Sequence, residues 1–392
     1  MSKELICPYA KLCGGCQYQG IPYVNQLNNK QVEVERLLKS FCHVNKIIGM
    51  DNPYHYRNKM QFAFGTNKRN EIISGNYQPS THIIVPINNC LIGDENADAI
   101  VETIREMMRS FKLRPFNDVR MQGLIRHVLI KKGFNSGQIM VVIVVGTHVF
   151  PSKRTFISEL LKKHPEITTI VININSRRTS MVLGDKSEVV YGSGKIEEQL
   201  CGFTFRISPT SFYQVNPIQT EVLYKKAITY ANLTGQETVI DAYCGTGTIG
   251  IIASQHAKKV IGVELNADAI NDAKENATLN HIGNIKFVCG DAGDFMVRTA
   301  MNKKMVDVVF IDPPRNGCDI KFLDSLAKLA PKKIVYISCN PITLARDLTY
   351  MTKKSYTVTD IQPVDMFPFT EHVECLVLMS MVEKEGRRKP SI

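Results

Sequence analysis

The chain has 392 residues, with 48 Lys and Arg against 37 Asp and Glu and a formal net charge of +11. A length of this order suggests two or three domains of about 100–200 residues each and suffices for a buried core. With 44% hydrophobic and 22% charged residues, the composition excludes a disordered chain and a collagen-like repeat.

The longest apolar run, around Ile139–Val145, is far shorter than the about 20 residues that cross a bilayer. The start, Met1-Ser2-Lys3-Glu4-Leu5, has no apolar stretch of the signal-peptide kind. A cytoplasmic, monomeric protein without a membrane partner is therefore expected. The basic balance suggests an anionic partner, nucleic acid being the commonest, although many basic chains owe their pI to solubility. Eleven cysteines, an odd number in a long chain, fit a secreted disulfide framework poorly. In a reducing compartment, clustered cysteines suggest a metal or cluster site, and isolated ones are small core residues.

No internal repeat or low-complexity tract interrupts the chain. Residues 1–50 hold a cysteine cluster and then a helix-like segment near Gln26–Phe41. Residues 51–212 read as mostly β with one helical interruption, Asp98–Phe111, where Ile100, Ile104, Met107 and Met108 have helical spacing. Val119–Leu129, Gln138–Val145 and Thr168–Ile174 are rich in β-branched residues and separated by Gly/Asn/Ser turns, as strands are. Residues 213–392 change rhythm after Asn216. Thr238–Tyr243, Lys259–Leu265, Ile285–Val288, Asp307–Ile311 and Lys333–Ser338 alternate with helical segments, which argues for right-handed βαβ units and a parallel sheet. Thr357–Val364 and His372–Met379 leave no room for a helix between them and read as an antiparallel hairpin closing that sheet. The expected fold is α/β, with a C-terminal Rossmann-like doubly wound domain behind a β-rich body and an N-terminal cysteine segment.

Where the first of these strands meets its helix, the chain reads Asp241-Ala242-Tyr243-Cys244-Gly245-Thr246-Gly247-Thr248-Ile249-Gly250. The glycines permit a tight turn and close approach of a ligand to the backbone, and the helix start offers free N–H groups. Glu264 ends the next strand, where a ribose-binding carboxylate belongs. The same pattern suits a dinucleotide enzyme. Asp241 just before the glycines fits S-adenosylmethionine better, because that molecule has no pyrophosphate to cradle and carries an ammonium group. Asp291, ending the third strand, fits an adenine contact or an ordinary turn equally.

Two further motifs end the fourth and fifth strands, at the edge where α/β sheets form their ligand crevice. In Ile311-Asp312-Pro313-Pro314-Arg315 the prolines set a rigid turn that aims Asp312 at the crevice. Asp-Pro-Pro before an aromatic marks methylation of exocyclic amines, and Arg315 departs from it. In Ser338-Cys339-Asn340-Pro341, Asn340 suits an N-cap and Pro341 the first helical position, so the helix dipole should favour a Cys339 thiolate. Glu374 enters an apolar strand after Asp365-Met366-Phe367-Pro368, sharing a face with His372 while Cys375 takes the other. A thiolate, a carboxylate and a methyl donor together suit the C5 position of uridine. Thiolate attack on C6 makes C5 enolate-like and able to accept a methyl group, after which a base must remove the C5 proton.

These residues resemble the RNA uridine-5 methyltransferase family over most of the chain. The family's nucleophile, in a Ser-Cys-Asn-Pro segment, corresponds to Cys339, and its proton-abstracting glutamate, after Asp-Met-Phe-Pro, to Glu374. The family's Phe-x-Gln-x-Asn segment is matched by Phe212-Tyr213-Gln214-Val215-Asn216, which implies a cofactor contact for Gln214. Tyr243, Glu264 and Asp312 fall on cofactor and substrate positions; Thr248 stands where some members have Asn and receives no role. Cys7, Cys13 and Cys16, with Cys90 much later, resemble the cysteines of the iron–sulfur-containing 23S rRNA branch. That likeness implies a 4Fe–4S cluster, although zinc also takes four cysteines. Many cluster-bearing relatives begin with a small β-barrel, for which Cys7 stands too near Met1, while the transfer-RNA branch lacks both barrel and cluster. The resemblance thus implies S-adenosylmethionine-dependent methylation of uridine C5, with large-subunit rRNA as substrate and tRNA as the alternative. Arg57, Lys59, Arg126-His127, Lys131-Lys132 and Arg177-Arg178 are then candidates for phosphate contact. Rival readings are an exocyclic-amine methyltransferase using Asp312, a non-catalytic RNA-binding protein and a nicotinamide enzyme.

Overall fold

In the computed structural model, which describes residues 5–302 and 305–382, the chain forms two compact units. One gathers Met50–Glu221, Phe367–Glu371 and the described part of Met1–Gln26; the other gathers Leu27–Gly49, Val222–Met366 and the described part of His372–Ile392. Residues 1–4, on which the signal-peptide expectation bears, lie outside the described residues. Among the described residues, no helix is long and apolar enough to cross a membrane.

Helix α1 (Tyr23–Leu38) comes first. The first unit then runs through β1 (Lys59–Thr66), β2 (Ile72–Tyr77), β3 (Ile84–Pro86), α2 (Glu95–Ser110), β4 (Ile125–Lys132), β5 (Ile139–Val145), α3 (Lys153–Lys163), β6 (Ile167–Ile174) and β7 (Lys186–Tyr191). It ends in the hairpin β8 (Ile196–Leu200) and β9 (Phe203–Ile207). Seven strands form one sheet in the order β3-β2-β1-β4-β5-β6-β7. Every residue of β5 is buried, so this strand lies in the middle with both faces covered. Helix α2 forms because Ile100, Val101, Ile104, Met107 and Met108 make one buried stripe, and because Asp94 Oδ1 accepts from the Asn96 N–H at 3.0 Å.

Two expectations needed correction here. Val119–Leu129 is a strand only from Ile125, because Asn117 Oδ1 accepts from the backbone N–H groups of Val119 (3.0 Å) and Arg120 (2.9 Å) and folds a side-chain-capped turn. Gly123 closes that turn at φ +108°, where a Cβ would sit 2.1 Å from the Pro115 carbonyl oxygen. The β-rich stretch also contains a second helix, α3, whose short apolar stripe of Phe156, Ile157 and Leu160 is crowded by lysines. That helix makes β5 and β6 a parallel pair, joined by a crossover, within an otherwise antiparallel sheet.

The second unit contains most of α4 (Pro217–Ala231), then β10 (Thr238–Ala242), α5 (Thr248–Ser254), β11 (Lys259–Glu264), α6 (Ala267–Leu279), β12 (Ile285–Cys289), α7 (Ala292–Met301), β13 (Val308–Ile311), α8 (Ile320–Leu329), β14 (Lys333–Ser338) and α9 (Pro341–Thr352). Strands β15 (Tyr356–Val364) and β16 (Glu374–Met381) complete it. The sheet order is β12-β11-β10-β13-β14-β16-β15. The first five strands are parallel and β16 is antiparallel to both neighbours, as the hairpin reading expected. The core joins Ile240, Val263, Val309, Ile334 and Val377 of the strands to Phe322, Leu326, Leu344 and Leu348 of the helices. Strand order reverses direction between β10 and β13, so the carboxyl ends of those strands flank a crevice.

Candidate active site

Asp241 is the last strand residue but one of β10, and it is buried. Its Oδ2 accepts from the Gly250 N–H at 2.8 Å, while Oδ1 is buried with no hydrogen-bond partner. Burial, with Asp312 and Glu264 nearby, pushes this carboxyl up to about 8. The loop that follows turns through left-handed backbone at Tyr243 (φ +64°), Gly245 and Gly247. At Gly247 a Cβ would stand 2.8 Å from the Phe287 ring, so the turn requires glycine. Glu264 ties this loop to the next crossover: Oε2 accepts from the Gly245 N–H at 3.1 Å and Oε1 from the Asn266 N–H at 2.8 Å. Asp291 is an N-cap, its Oδ1 accepting from the Asp294 N–H at 2.9 Å. Tyr243 packs its ring against Phe322, 5.4 Å between centroids.

The β14–β16 register pairs Ser338 with Cys375, so Cys339 and Glu374 each adjoin the end of this pairing, and Glu374 acts on the Cys339 thiol. The turn at Cys339 is held by Ser338 Oγ, which accepts from the Asn340 N–H at 3.2 Å, and by the Asn340 side chain, which caps α9 through the Ile342 N–H at 3.1 Å. Glu374 is 3% exposed and its Oε2 has no hydrogen-bond partner. Its carboxyl is pushed up to about 8 by burial and by Asp312, against the pull of Arg315. Asp312 is pushed up to about 7 by burial.

The Cys339 thiol is pushed up to about 11 by burial and by the carboxylates of Glu374 and Asp312, with Arg315 and a backbone hydrogen bond opposing. This corrects the expectation of a thiolate favoured by the helix start. Burial and two nearby acids outweigh the dipole, so the thiol form is favoured at neutral pH. Arg315, which the sequence reading treated only as a departure from an aromatic, is an exposed cation felt by both partners of the Cys339–Glu374 pair. The residues that hold its loop, Arg346 and Asp347 on α9, went unnoticed in the sequence. The only signal was their position one to two turns after Cys339.

Gln214 belongs to the other unit, where it is buried and its backbone carbonyl accepts from Asn58 Nδ2 at 3.0 Å. In the same unit, Cys7, Cys13, Cys16 and Cys90 line one cavity of about 300 Å³ together with Arg57 and Lys59. Arg57 Nε is buried without a hydrogen-bond partner, and Gly15 N–H points to Cys13 Sγ at 3.4 Å. Among the described residues, no group of three or more His, Cys, Asp or Glu side chains is gathered to hold a metal ion. Four thiols and a cation with an unpartnered N–H thus line one cavity.

Most of the cations expected to meet phosphate are turned inward. Arg126 is buried on Asp118 at 2.7 Å and donates to the Asn175 carbonyl at 2.6 Å. Lys131 donates to the carbonyls of Ser208 and Ser211, both at 2.8 Å, and Lys132 pairs with Asp94 at 2.7 Å. Burial pushes His127 down to about 4. All four sit on β4, a central strand, where Arg126, His127 and Lys131 are buried and Lys132 is partly exposed. Arg177 pairs with Asp185 and Arg178 donates to the Val119 carbonyl, both from exposed positions.

A five-stranded parallel sheet with an antiparallel return, a glycine loop after its first strand and acids along its carboxyl edge define an α/β methyltransferase. A family model described as tRNA (Uracil-5-)-methyltransferase matches residues 22–382. The chain is 42% identical over 387 residues to an RNA methyltransferase of Bacillus cereus, across 97% of this chain and 84% of the relative. It is 43% identical over 378 residues to one of Caldanaerobacter subterraneus, across 95% and 83%; both relatives are named as uncharacterized RNA methyltransferases. Among solved structures, it is similar to Pyrococcus abyssi tRNA (uracil-54, C5)-methyltransferase in complex with S-adenosyl-L-homocysteine. The TM-score is 0.79 and the identity 27%, covering 94% of this chain and 86% of that one. The chain therefore belongs to the RNA uracil-5 methyltransferase family and is an S-adenosylmethionine-dependent RNA methyltransferase.

Proposed function

We propose that the protein makes 5-methyluridine in RNA with Cys339 as nucleophile and Glu374 as base, working in the cytoplasm as a monomer. The observation that supports this reading is that β14 and β16 pair as far as Ser338 and Cys375, the residues adjoining Cys339 and Glu374, and that Glu374, Asp312 and Arg315 all act on the Cys339 thiol. Gln214, Tyr243, Glu264 and Asp312, together with Asp241, are the residues proposed to hold S-adenosylmethionine. The unpartnered Oδ1 of Asp241 suits the cationic end of that molecule. When bound, it supplies a methyl group on a sulfonium. Cys339, its thiol proton having been lost to solvent, bonds through Sγ to C6 of uridine, and the electron pair of the C5–C6 double bond makes C5 the methyl acceptor. Glu374 then takes the C5 proton, the double bond reforms and the Sγ–C6 bond breaks, returning the thiolate. The target base must leave its stack to reach Cys339, which favours loops and unpaired RNA.

Large-subunit rRNA is the substrate of this reading. Its support is the cysteine cavity: Cys7, Cys13, Cys16 and Cys90 would hold a 4Fe–4S cluster whose negative charge Arg57 and Lys59 offset, tying the N-terminal segment to the β-rich, RNA-binding unit. The tRNA alternative is favoured by the likeness to the Pyrococcus abyssi enzyme. The test is nucleoside mass spectrometry of rRNA and tRNA lacking 5-methyluridine, after incubation with anaerobically purified protein and S-adenosylmethionine. New 5-methyluridine in the rRNA fraction supports the reading. Product only in tRNA overturns the substrate assignment, and a methylated adenine or guanine overturns the chemistry.

A further inference from the structure

The turn Pro314–Cys318 leaves β13 with Arg315 exposed and with few bonds of its own beyond the Gly317 N–H to the Pro314 carbonyl at 2.8 Å. Its backbone is bonded instead to the first two turns of α9. The Arg315 carbonyl accepts from Asn340 Nδ2 and from Thr343 Oγ1, both at 3.1 Å. Arg346 Nη2 donates to the carbonyls of Asn316 at 2.8 Å and Cys318 at 3.0 Å. Asp347, fully buried, accepts the Cys318 N–H at 2.8 Å on Oδ2, where Tyr336 Oη also donates at 2.7 Å, while its Oδ1 accepts from Arg346 Nε at 2.9 Å. At Gly317 (φ +73°) a Cβ would stand 2.6 Å from Asp347 Oδ2 and 2.7 Å from Arg346 Nη2, so the turn is fitted closely against this pair.

Helix α9 begins at the turn that carries Cys339. One polar helix face thus holds both the nucleophile's turn and the loop that carries Arg315. We infer that Thr343, Arg346 and Asp347 are positioning residues that hold the Arg315 loop, and with it the cation that acts on the Cys339–Glu374 pair. This inference rests on the proposed roles of Cys339 and Glu374. The charged and titratable groups facing that pair are Asp312, which raises both groups, Arg315, which lowers both, and the buried Cys375 thiol beside Glu374. Cys318 and Tyr336 face Asp347. Arg315 has no ion pair among the described residues, so its placement depends on its backbone. Releasing the loop should then act as though the guanidinium itself were withdrawn.

The test is a double-mutant cycle on Arg315→Met and Arg346→Met, reading kcat, KM for S-adenosylmethionine and the pH profile of kcat, with Thr343→Val as an isosteric second probe of the same staple. Each single variant should lower kcat by tenfold or more with KM within twofold. In both, the rising limb of the profile should move to higher pH, because Glu374 loses the cation that favours its carboxylate. The double variant should be no slower than Arg315→Met alone, and Arg346→Lys should recover part of the loss. An unshifted profile in Arg346→Met and Thr343→Val, or additive losses in the double variant, overturns the inference. A Cys339→Ala enzyme that still turns over would instead overturn the reading beneath it.

Discussion

At the scale of single residues, the site is a concentration of acids held in their protonated forms. Glu374 near 8 and Asp312 near 7 must ionise before Glu374 can take a proton, so kcat should rise with pH through about 7 to 8 and then level. A flat profile from pH 6 to 9 would contradict Glu374 as base. The same shift has a stability consequence of opposite sign. Because burial raises Glu374 in the folded state, its stabilising contribution is complete below its unfolded value near 4.5 and is lost as pH rises through about 8. Glu374→Gln should therefore melt a few degrees higher than the ligand-free wild type at pH 8, with little difference at pH 5, while blocking turnover. On uridine-containing RNA it should also accumulate a denaturation-resistant protein–RNA complex, visible on a denaturing gel, because the last proton transfer fails. In the sequence, Asn340-Pro341 marks the turn at Cys339 and an apolar strand surrounds Glu374, while the roles proposed for both came from the family resemblance. The sequence concealed their protonation, which depends on burial and on Asp312 and Arg315 from a different strand end.

At the scale of elements, patterns that depend on neighbours in sequence were readable and those that depend on partners far away were not. Strand β14 was expected over Lys333–Ser338 and is found there, because five of its six residues are buried apolar or small positions bounded by a lysine and a capped helix. Helix α3 escaped because only Phe156, Ile157 and Leu160 mark its buried face, and Ser152 before it makes no side-chain cap. The β4 cations looked like phosphate ligands because nothing local shows that β4 lies mid-sheet. A long-range pair of the same kind is Lys30 with Asp365, fully buried at 2.6 Å, which ties α1 to the segment after β15. Lys30→Met should destabilise the protein by about 3–5 kcal/mol in urea unfolding by removing the cation beside a buried carboxylate, and the double change Lys30→Met/Asp365→Leu should recover much of it. A single variant as stable as wild type would show that the pair carries no such weight.

At the scale of the molecule, the net charge of +11 anticipated an anionic partner but not where it binds. The second unit was legible almost strand by strand, since alternating βαβ units leave few topologies. The first was not, because its sheet mixes antiparallel pairs with one parallel crossover. Asp241, Asp312 and Glu374, all protonated more readily than usual in the ligand-free protein, also predict a linkage between donor binding and protons. A cation arriving among them favours their ionised forms. S-adenosylmethionine binding, followed by calorimetry in buffers of different ionisation enthalpy, should release protons near pH 7 and tighten as pH rises toward 8. Binding with no proton release would contradict that electrostatic picture.

The central claim is a covalent bond between Cys339 and the target uridine, and RNA bearing 5-fluorouridine tests it most directly. Fluorine at C5 leaves no proton for Glu374 to remove, so the adduct cannot resolve after methyl transfer. Peptide mass spectrometry after incubation with S-adenosylmethionine should find a methylated 5-fluorouridine nucleotide on the peptide containing Cys339, absent in Cys339→Ala. A stable adduct on another cysteine, or none while the natural RNA is still methylated, would contradict the account.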